Sequence, residues 1–70
     1  MAKIEASMAG SVWKVLVKEG DEIKAGQDVV ILESMKMEIP IAAEVDGVVT
    51  KVYAQEGEFV NDADVLLETE

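Results

Sequence analysis

The chain has 70 residues, half of them hydrophobic and 30% of them charged, and its formal net charge is −9. A chain of this length is expected to form one small domain, here residues 1–70. It contains no cysteine and no histidine, which excludes disulfides and thiolate metal sites and removes the commonest catalytic base and metal ligand. We therefore expect no catalytic residues and no metal site.

The charge and the hydropathy pattern also limit the partners and the location of the protein. Fifteen acidic residues against six lysines repel nucleic-acid phosphates and anionic lipid head groups. The longest apolar run, Val29 to Leu32, is far too short to span a bilayer. We expect a cytoplasmic protein that binds neither nucleic acid nor membrane.

Short stretches rich in Val, Ile and Leu follow one another along the chain, separated by polar turn segments. These segments are 18–22, 24–28, 45–47, 55–58 and 61–64. Such spacing is typical of several short β-strands rather than of helices. We expect a core of Val, Ile, Leu and Met that includes Trp13, and glycines that provide positive φ at turns.

The two halves of the chain resemble one another at a constant offset of 37 residues. Identical pairs are Gly10 with Gly47, Val12 with Val49, Lys14 with Lys51, Val15 with Val52, Glu19 with Glu56 and Gly20 with Gly57. The shared order of glycines and apolar residues indicates a duplicated strand unit. Two such units would form a sandwich with quasi-twofold symmetry.

The segment 29–42 between the two units has mixed local preferences. Residues 33–38 include good helix formers, but Pro40 argues against a helix through the segment, and we predict a hairpin with Met35 and Lys36 at its tip. The predicted cross-strand pairs are Ser34 with Met37, Glu33 with Glu38, and Leu32 with Ile39. This hairpin is locally unfavourable, because tight turns prefer residues such as Asn-Gly and because the paired glutamates repel. A segment that breaks the local rules is a candidate functional site.

The sequence around the predicted tip is Glu-Ser-Met-Lys-Met, in which Met35 and Met37 flank Lys36. It resembles the attachment motif of the biotinyl domain family, which includes the biotin carboxyl carrier domains of carboxylases. The resemblance extends over nearly the whole chain through the turn residues Gly20-Asp21, Ala25-Gly26-Gln27, Asp46-Gly47, Glu56-Gly57 and Asp64-Val65-Leu66. It implies an all-β fold, a flattened β-barrel or sandwich of two four-stranded antiparallel sheets (a barrel-sandwich hybrid), with the modified lysine on an exposed hairpin.

The chain departs from the family pattern at two places. Ser34 stands where biotinyl domains usually have Ala, and Ser7-Met8-Ala9-Gly10 replaces their Pro-Met-Pro-Gly. The similar lipoyl domains tend to have Asp before the lysine and a small residue after it, so the two flanking methionines favour biotin. The Glu33-Ser34 pair resembles the lipoyl pattern. A lipoyl or dual carrier, and an unmodified structural barrel-sandwich domain, therefore stay open as alternatives.

The resemblance implies a non-catalytic carrier that is loaded on Lys36 with covalent biotin, or with lipoate under the alternative. It implies biotin protein ligase, biotin carboxylase and carboxyltransferase as partners, and a lipoyl ligase if lipoate is accepted. The residues expected to be recognised by the ligase are Met35, Met37, Glu33, Ser34 and Glu38. Because an exposed lysine amine is protonated at neutral pH, we expect the ligase to supply the deprotonation and the alignment.

Overall fold

Eight short β-strands make up the regular structure of the chain. The structure is a computed structural model that describes residues 2–70. The strands are β1 (Ala2–Glu5), β2 (Gly10–Val15), β3 (Glu22–Ile23), β4 (Asp28–Ser34), β5 (Met37–Ala42), β6 (Gly47–Val52), β7 (Phe59–Val60) and β8 (Val65–Thr69). Turns or bends fall within each of the five polar segments that the sequence singles out. No helix in residues 2–70 has the length and apolar character needed to cross a membrane.

The strands form two four-stranded sheets, in the orders β1-β8-β6-β3 and β5-β4-β2-β7. All the strand pairs are antiparallel. Buried side chains from both sheets form a shared core, so the two sheets face each other. The predicted all-β fold of two four-stranded antiparallel sheets is confirmed.

The internal repeat is reproduced strand by strand. An offset of 37 residues takes β1–β4 onto β5–β8, and it converts one sheet order into the other. Even the irregularities repeat, since Trp13 and Thr50 are the extra residues of bulges in β2 and β6, and Val29 and Leu66 are those in β4 and β8. Bulges bend a strand and increase its twist, so the two sheets are bent at equivalent positions. The predicted quasi-twofold symmetry is confirmed.

Turn glycines connect one repeat unit to the other. Gly20 and Gly57 both have φ near +93°, a conformation that only glycine adopts without a steric cost. The amide of Gly20 donates to the carbonyl of Val49, and that of Gly57 donates to the carbonyl of Val12, each at 2.8 Å. Each turn is thereby fastened to a strand of the other unit.

The core is aliphatic. The buried hydrophobic residues are Ile4, Ala6, Val12, Val17, Ile23, Val29, Val30, Leu32, Ile41, Ala43, Val49, Ala54, Val60, Leu66 and Leu67. Val, Ile and Leu were expected there, but this set contains no methionine. Among the methionines of residues 2–70, only Met8 packs against the core, as a partly buried neighbour. Burial of these side chains supplies most of the stabilisation that a domain of this size can obtain.

Trp13 lies at the surface, with 42% of its area exposed, so the expectation that it belongs to the core is wrong. Val12 faces the core, and Trp13 follows it as the extra residue of the β2 bulge, directed to solvent. The ammonium group of Lys14 lies 5.5 Å from the centre of the indole ring, a cation–π distance. The chain therefore keeps its tryptophan on the outer surface of the hairpin-bearing sheet.

Candidate functional site

The longest strand pair in the molecule ends in the predicted hairpin. Strands β4 and β5 pair in register from Val30 opposite Ile41 up to Ser34 opposite Met37, which leaves only Met35 and Lys36 in the turn. The pairs Glu33 with Glu38 and Leu32 with Ile39 are also as predicted. The alternative of a helical turn over these residues is therefore wrong. The hairpin protrudes from one end of the sheet.

The two turn residues have unusual backbone conformations. Met35 has φ of 52° and Lys36 has φ of 65°. Positive φ at both central residues is what a type I′ hairpin turn requires, but side chains longer than Asn rarely adopt it, at a cost of about 1–3 kcal/mol per residue. The buried residues Leu32 and Ile41 hold the register of the strands, so the core imposes this turn on an unsuitable sequence. The predicted local strain is present in the geometry.

The structure brings all six candidate residues together at this tip. Lys36, Glu33 and Glu38 are exposed, and Ser34 is half-buried. Met35 is 92% exposed and Met37 is 64% exposed, which is far from the burial usual for methionine. These side chains contribute little to the core, so their apolar surface is available to a partner protein.

The hairpin is a protrusion rather than a pocket. Two surface grooves of the described chain are lined by other residues, and neither includes any of residues 33–38. Residues 2–70 also contain no group of three acidic or metal-ligating side chains that could hold a metal ion. The exposed tip can therefore present a primary amine to another protein's active site.

One glycine beside the hairpin does not have the turn role expected from the sequence. Gly10 has no positive φ, so the explanation by turn conformation is wrong for it. A Cβ atom at Gly10 would lie 2.8 Å from the backbone oxygen of Glu33, so β2 packs directly against the base of the hairpin. The available signal was that Gly10 directly precedes an apolar strand and lies in none of the five polar turn segments.

The clearest electrostatic perturbation lies away from the hairpin, on the other sheet. The hydroxyl of Tyr53 donates a hydrogen bond to the carboxylate of Glu68. That bond raises the pKa of Tyr53 above its ordinary value, with further contributions from desolvation and from the charge of the carboxylate. Lys51 lies 5.3 Å from the centre of the same ring. This cluster joins β6 to β8 and takes no part in the hairpin.

A symmetric two-sheet barrel with a lysine at the crest of its central hairpin defines the class of biotin and lipoyl attachment domains. The family model described as "Biotin-requiring enzyme" matches residues 2–68, and the chain belongs to this biotin/lipoyl family. Among individual proteins, the biotin/lipoyl attachment protein of Bacillus subtilis is 60% identical over 65 residues, which cover 93% of this chain and 89% of that protein. The biotinylated protein TB7.3 homolog of Mycobacterium leprae is 44% identical over 63 residues, covering 90% and 89%.

The same fold occurs inside much larger carboxylases. The crystal structure of the Kluyveromyces lactis urea carboxylase superposes with a TM-score of 0.91 at 29% identity, over 99% of this chain and 6% of that one. The chain thus spans most of its small relatives but only a small part of the multidomain enzyme. These likenesses confirm the family predicted from the hairpin motif.

Proposed function

We propose that this chain is a non-catalytic carrier domain, residues 1–70, whose Lys36 is covalently biotinylated. The observation that carries the proposal is the exposed lysine at the crest of a two-residue turn, flanked by two exposed methionines. The relationship to a biotin/lipoyl attachment protein and to a biotinylated protein supports biotin as the attached group. A cytoplasmic location stays a prediction.

Attachment forms one amide bond. A base removes one proton from the ε-ammonium group of Lys36, and the free amine attacks the carbonyl carbon of biotinyl-adenylate. AMP leaves with the bonding electrons, and the nitrogen loses a second proton to give the neutral amide. Because an exposed lysine is protonated at neutral pH and this chain has no histidine, the base belongs to biotin protein ligase. The product has lost the positive charge of the lysine.

After loading, the biotin ring supplies the chemistry and the domain supplies the geometry. The ring accepts a carboxyl group at a biotin carboxylase and donates it at a carboxyltransferase, in systems like those of the carboxylases that contain this fold. A tethered ring meets successive active sites at high effective concentration. The domain itself catalyses neither step.

The residues around Lys36 have recognition roles in this proposal. Met35 and Met37 present soft apolar surface that adapts to more than one partner. Glu33 and Glu38 present two opposed carboxylates to a basic surface of the ligase. Ser34 is half-buried beside the turn. Its small side chain leaves room for a ligase that approaches the hairpin closely.

Lipoate is the second candidate for the attached group. The Bacillus subtilis relative is named for attachment of both groups, and the Glu33-Ser34 pair resembles the lipoyl pattern. A dual carrier would be loaded on the same Lys36 by a lipoyl ligase as well. An unmodified structural role is disfavoured, because a strained, exposed turn adds nothing to the core.

The test is mass spectrometry of the intact protein after incubation with biotin protein ligase, biotin and ATP, followed by peptide mapping. We expect one biotinyl adduct on Lys36, none in Lys36→Arg, and an unchanged adduct in the control Lys51→Arg. A parallel reaction with lipoyl ligase decides whether lipoate is also accepted. Biotin on Lys51, or no adduct in either reaction, would refute the assignment.

A further inference from the structure

A row of four residues crosses the hairpin-bearing sheet from edge to edge. Phe59 of β7 lies opposite Ser11 of β2, and Ser11 lies opposite Glu33 of β4. Glu33 in turn lies opposite Glu38 of β5. All four residues are exposed, and three strand spacings put the ends of the row about 14 Å apart. We call these four residues the outer row.

Phe59 is the apolar end of the outer row. It is 66% exposed, more than either Trp13 or Tyr53, and it borders an open groove together with Tyr53 and Val65. Its repeat counterpart is Glu22, which occupies the equivalent position in β3. The scaffold thus accepts a glutamate where this sheet has an exposed phenylalanine, so the phenylalanine is not required for packing.

Any enzyme that acts on Lys36 must cover more than the hairpin tip. A stable protein interface buries about 800 Å² per partner, about a fifth of the 4425 Å² that this small chain exposes. The outer row is continuous with the tip, because Glu33 and Glu38 form the last strand pair but one before the turn. It offers an exposed phenylalanine, a residue type enriched in protein interfaces, and two carboxylates that complement a basic surface of a partner.

The length of the lysine side chain indicates which enzyme approaches this surface most closely. A ligase must bring the bare ammonium group, at the end of a four-carbon stem, into its active site. The enzymes that act later meet a biotin ring at the end of a longer arm, so they can stay further from the barrel. Contact with the body of the sheet is therefore most demanding in the ligase complex.

We propose that the outer row is a docking surface for biotin protein ligase, in which Phe59 enters an apolar pocket and Glu33 and Glu38 face basic residues. This inference rests on the proposed function and extends the recognised surface from the hairpin tip to the far edge of the sheet. Ser11, the small residue between them, lets the partner lie close to the strands.

The experiment measures biotin transfer by a ligase that modifies the wild-type chain, with the carrier as the varied substrate. Phe59→Gln removes the apolar anchor without changing the charge. The matched control is Val48→Gln, since Val48 is 38% exposed and is the repeat counterpart of Ser11 on the other sheet. We expect KM for Phe59→Gln to rise about tenfold with kcat within twofold, while Val48→Gln stays within twofold in both. Phe59→Leu should recover most of the loss.

Three further readouts separate the possible outcomes. Equal KM values for the two Gln variants, with unchanged thermal unfolding, would overturn the docking surface while leaving modification of Lys36 intact. A wild-type chain that no ligase modifies would overturn the proposed function itself. The biotinylated Phe59→Gln variant could instead be impaired at the biotin carboxylase step, or sedimentation could show that the substitution converts a dimer into a monomer. Either result would assign the surface to another partner and would make the proposal wrong.

Discussion

The two ends of the barrel are built from equivalent residues, yet only one of them carries the hairpin. At the hairpin end, a Cβ atom on Gly10 would lie 2.8 Å from the backbone oxygen of Glu33, and at the opposite end a Cβ atom on Gly47 would lie 2.8 Å from that of Glu70. Each glycine begins the corresponding strand of its repeat unit. The same close contact between a glycine and a backbone oxygen therefore occurs at both ends of the barrel.

The hairpin continues the chain just beyond the first of these contacts. β4 extends past Glu33 to Ser34 and joins β5 through the tight turn. None of residues 33–38 is buried, so this segment adds no side chain to the hydrophobic core. Because apolar burial stabilises the fold and residues 33–38 supply no buried side chain, the core does not dictate the residue types of this segment. The candidate site therefore lies beyond the shared core.

The largest effect on stability that tests this comparison is expected from Gly10→Ala. The added methyl group would collide with the backbone of Glu33, which is paired on both sides, and overpacking of this kind costs about 2–3 kcal/mol. Gly47→Ala is the matched control, and it should cost about 1 kcal/mol, because the backbone of Glu70 lies outside β8 and, among residues 2–70, is hydrogen-bonded to Val48 alone. Urea unfolding of both variants measures the two losses. Equal losses would mean that the two ends are equally rigid.

The repeat and the hairpin register could be predicted because they depend on spacing alone. An offset of 37 residues places the strands, and counting outward from the two turn residues gives the pairing of Glu33 with Glu38. Both inferences need only the order of turn residues and the period of two along a strand. This is why the duplicated strand unit and the position of Lys36 could be inferred from spacing, whereas the two four-stranded sheets were implied by the family resemblance.

Other features depend on the path of the backbone, and the sequence alone could not predict them. Trp13 was assigned to the core on residue type, but the bulge in β2 turns it outward. The role of Gly10 depends on a contact with a strand more than 20 residues away. Phe59 is one of three aromatic residues with no distinguishing motif around it, and only the register shows that it shares a row with Glu33.

A smaller gain is expected if the strain of the turn is relieved at Met35. Met35→Asn places a residue that tolerates positive φ at a position with φ of 52°, and it should stabilise the fold by about 1 kcal/mol and raise Tm by about 5 °C. Met37→Asn is the control, because Met37 lies in β5 and has no such strain. Thermal unfolding checks the gain, and biotin transfer by the ligase should become slower as Met35 is lost. No gain in Tm would show that the strands do not strain the turn.

The smallest effect concerns one turn that the two units build with different residues. Gly26 has φ of +90° and its repeat counterpart Ala63 has φ of +71°. Both amides make the same hydrogen bond to the other strand unit, Gly26 to Ala43 at 2.8 Å and Ala63 to Ala6 at 2.9 Å. The turn is therefore equivalent in geometry, and only the alanine carries a conformational cost.

Exchanging these two residues isolates that cost. A Cβ atom at Gly26 would meet nothing within 4 Å, so Gly26→Ala should lose about 1 kcal/mol through φ alone. Ala63→Gly relieves the same strain but makes the unfolded chain more flexible, so its net gain should be about 0.5 kcal/mol. Chemical denaturation of both variants gives the two changes in the free energy of unfolding, provided that the m-values do not change. If both substitutions changed the free energy of unfolding in the same direction, the two turns would differ in energy although their backbones have equivalent conformations.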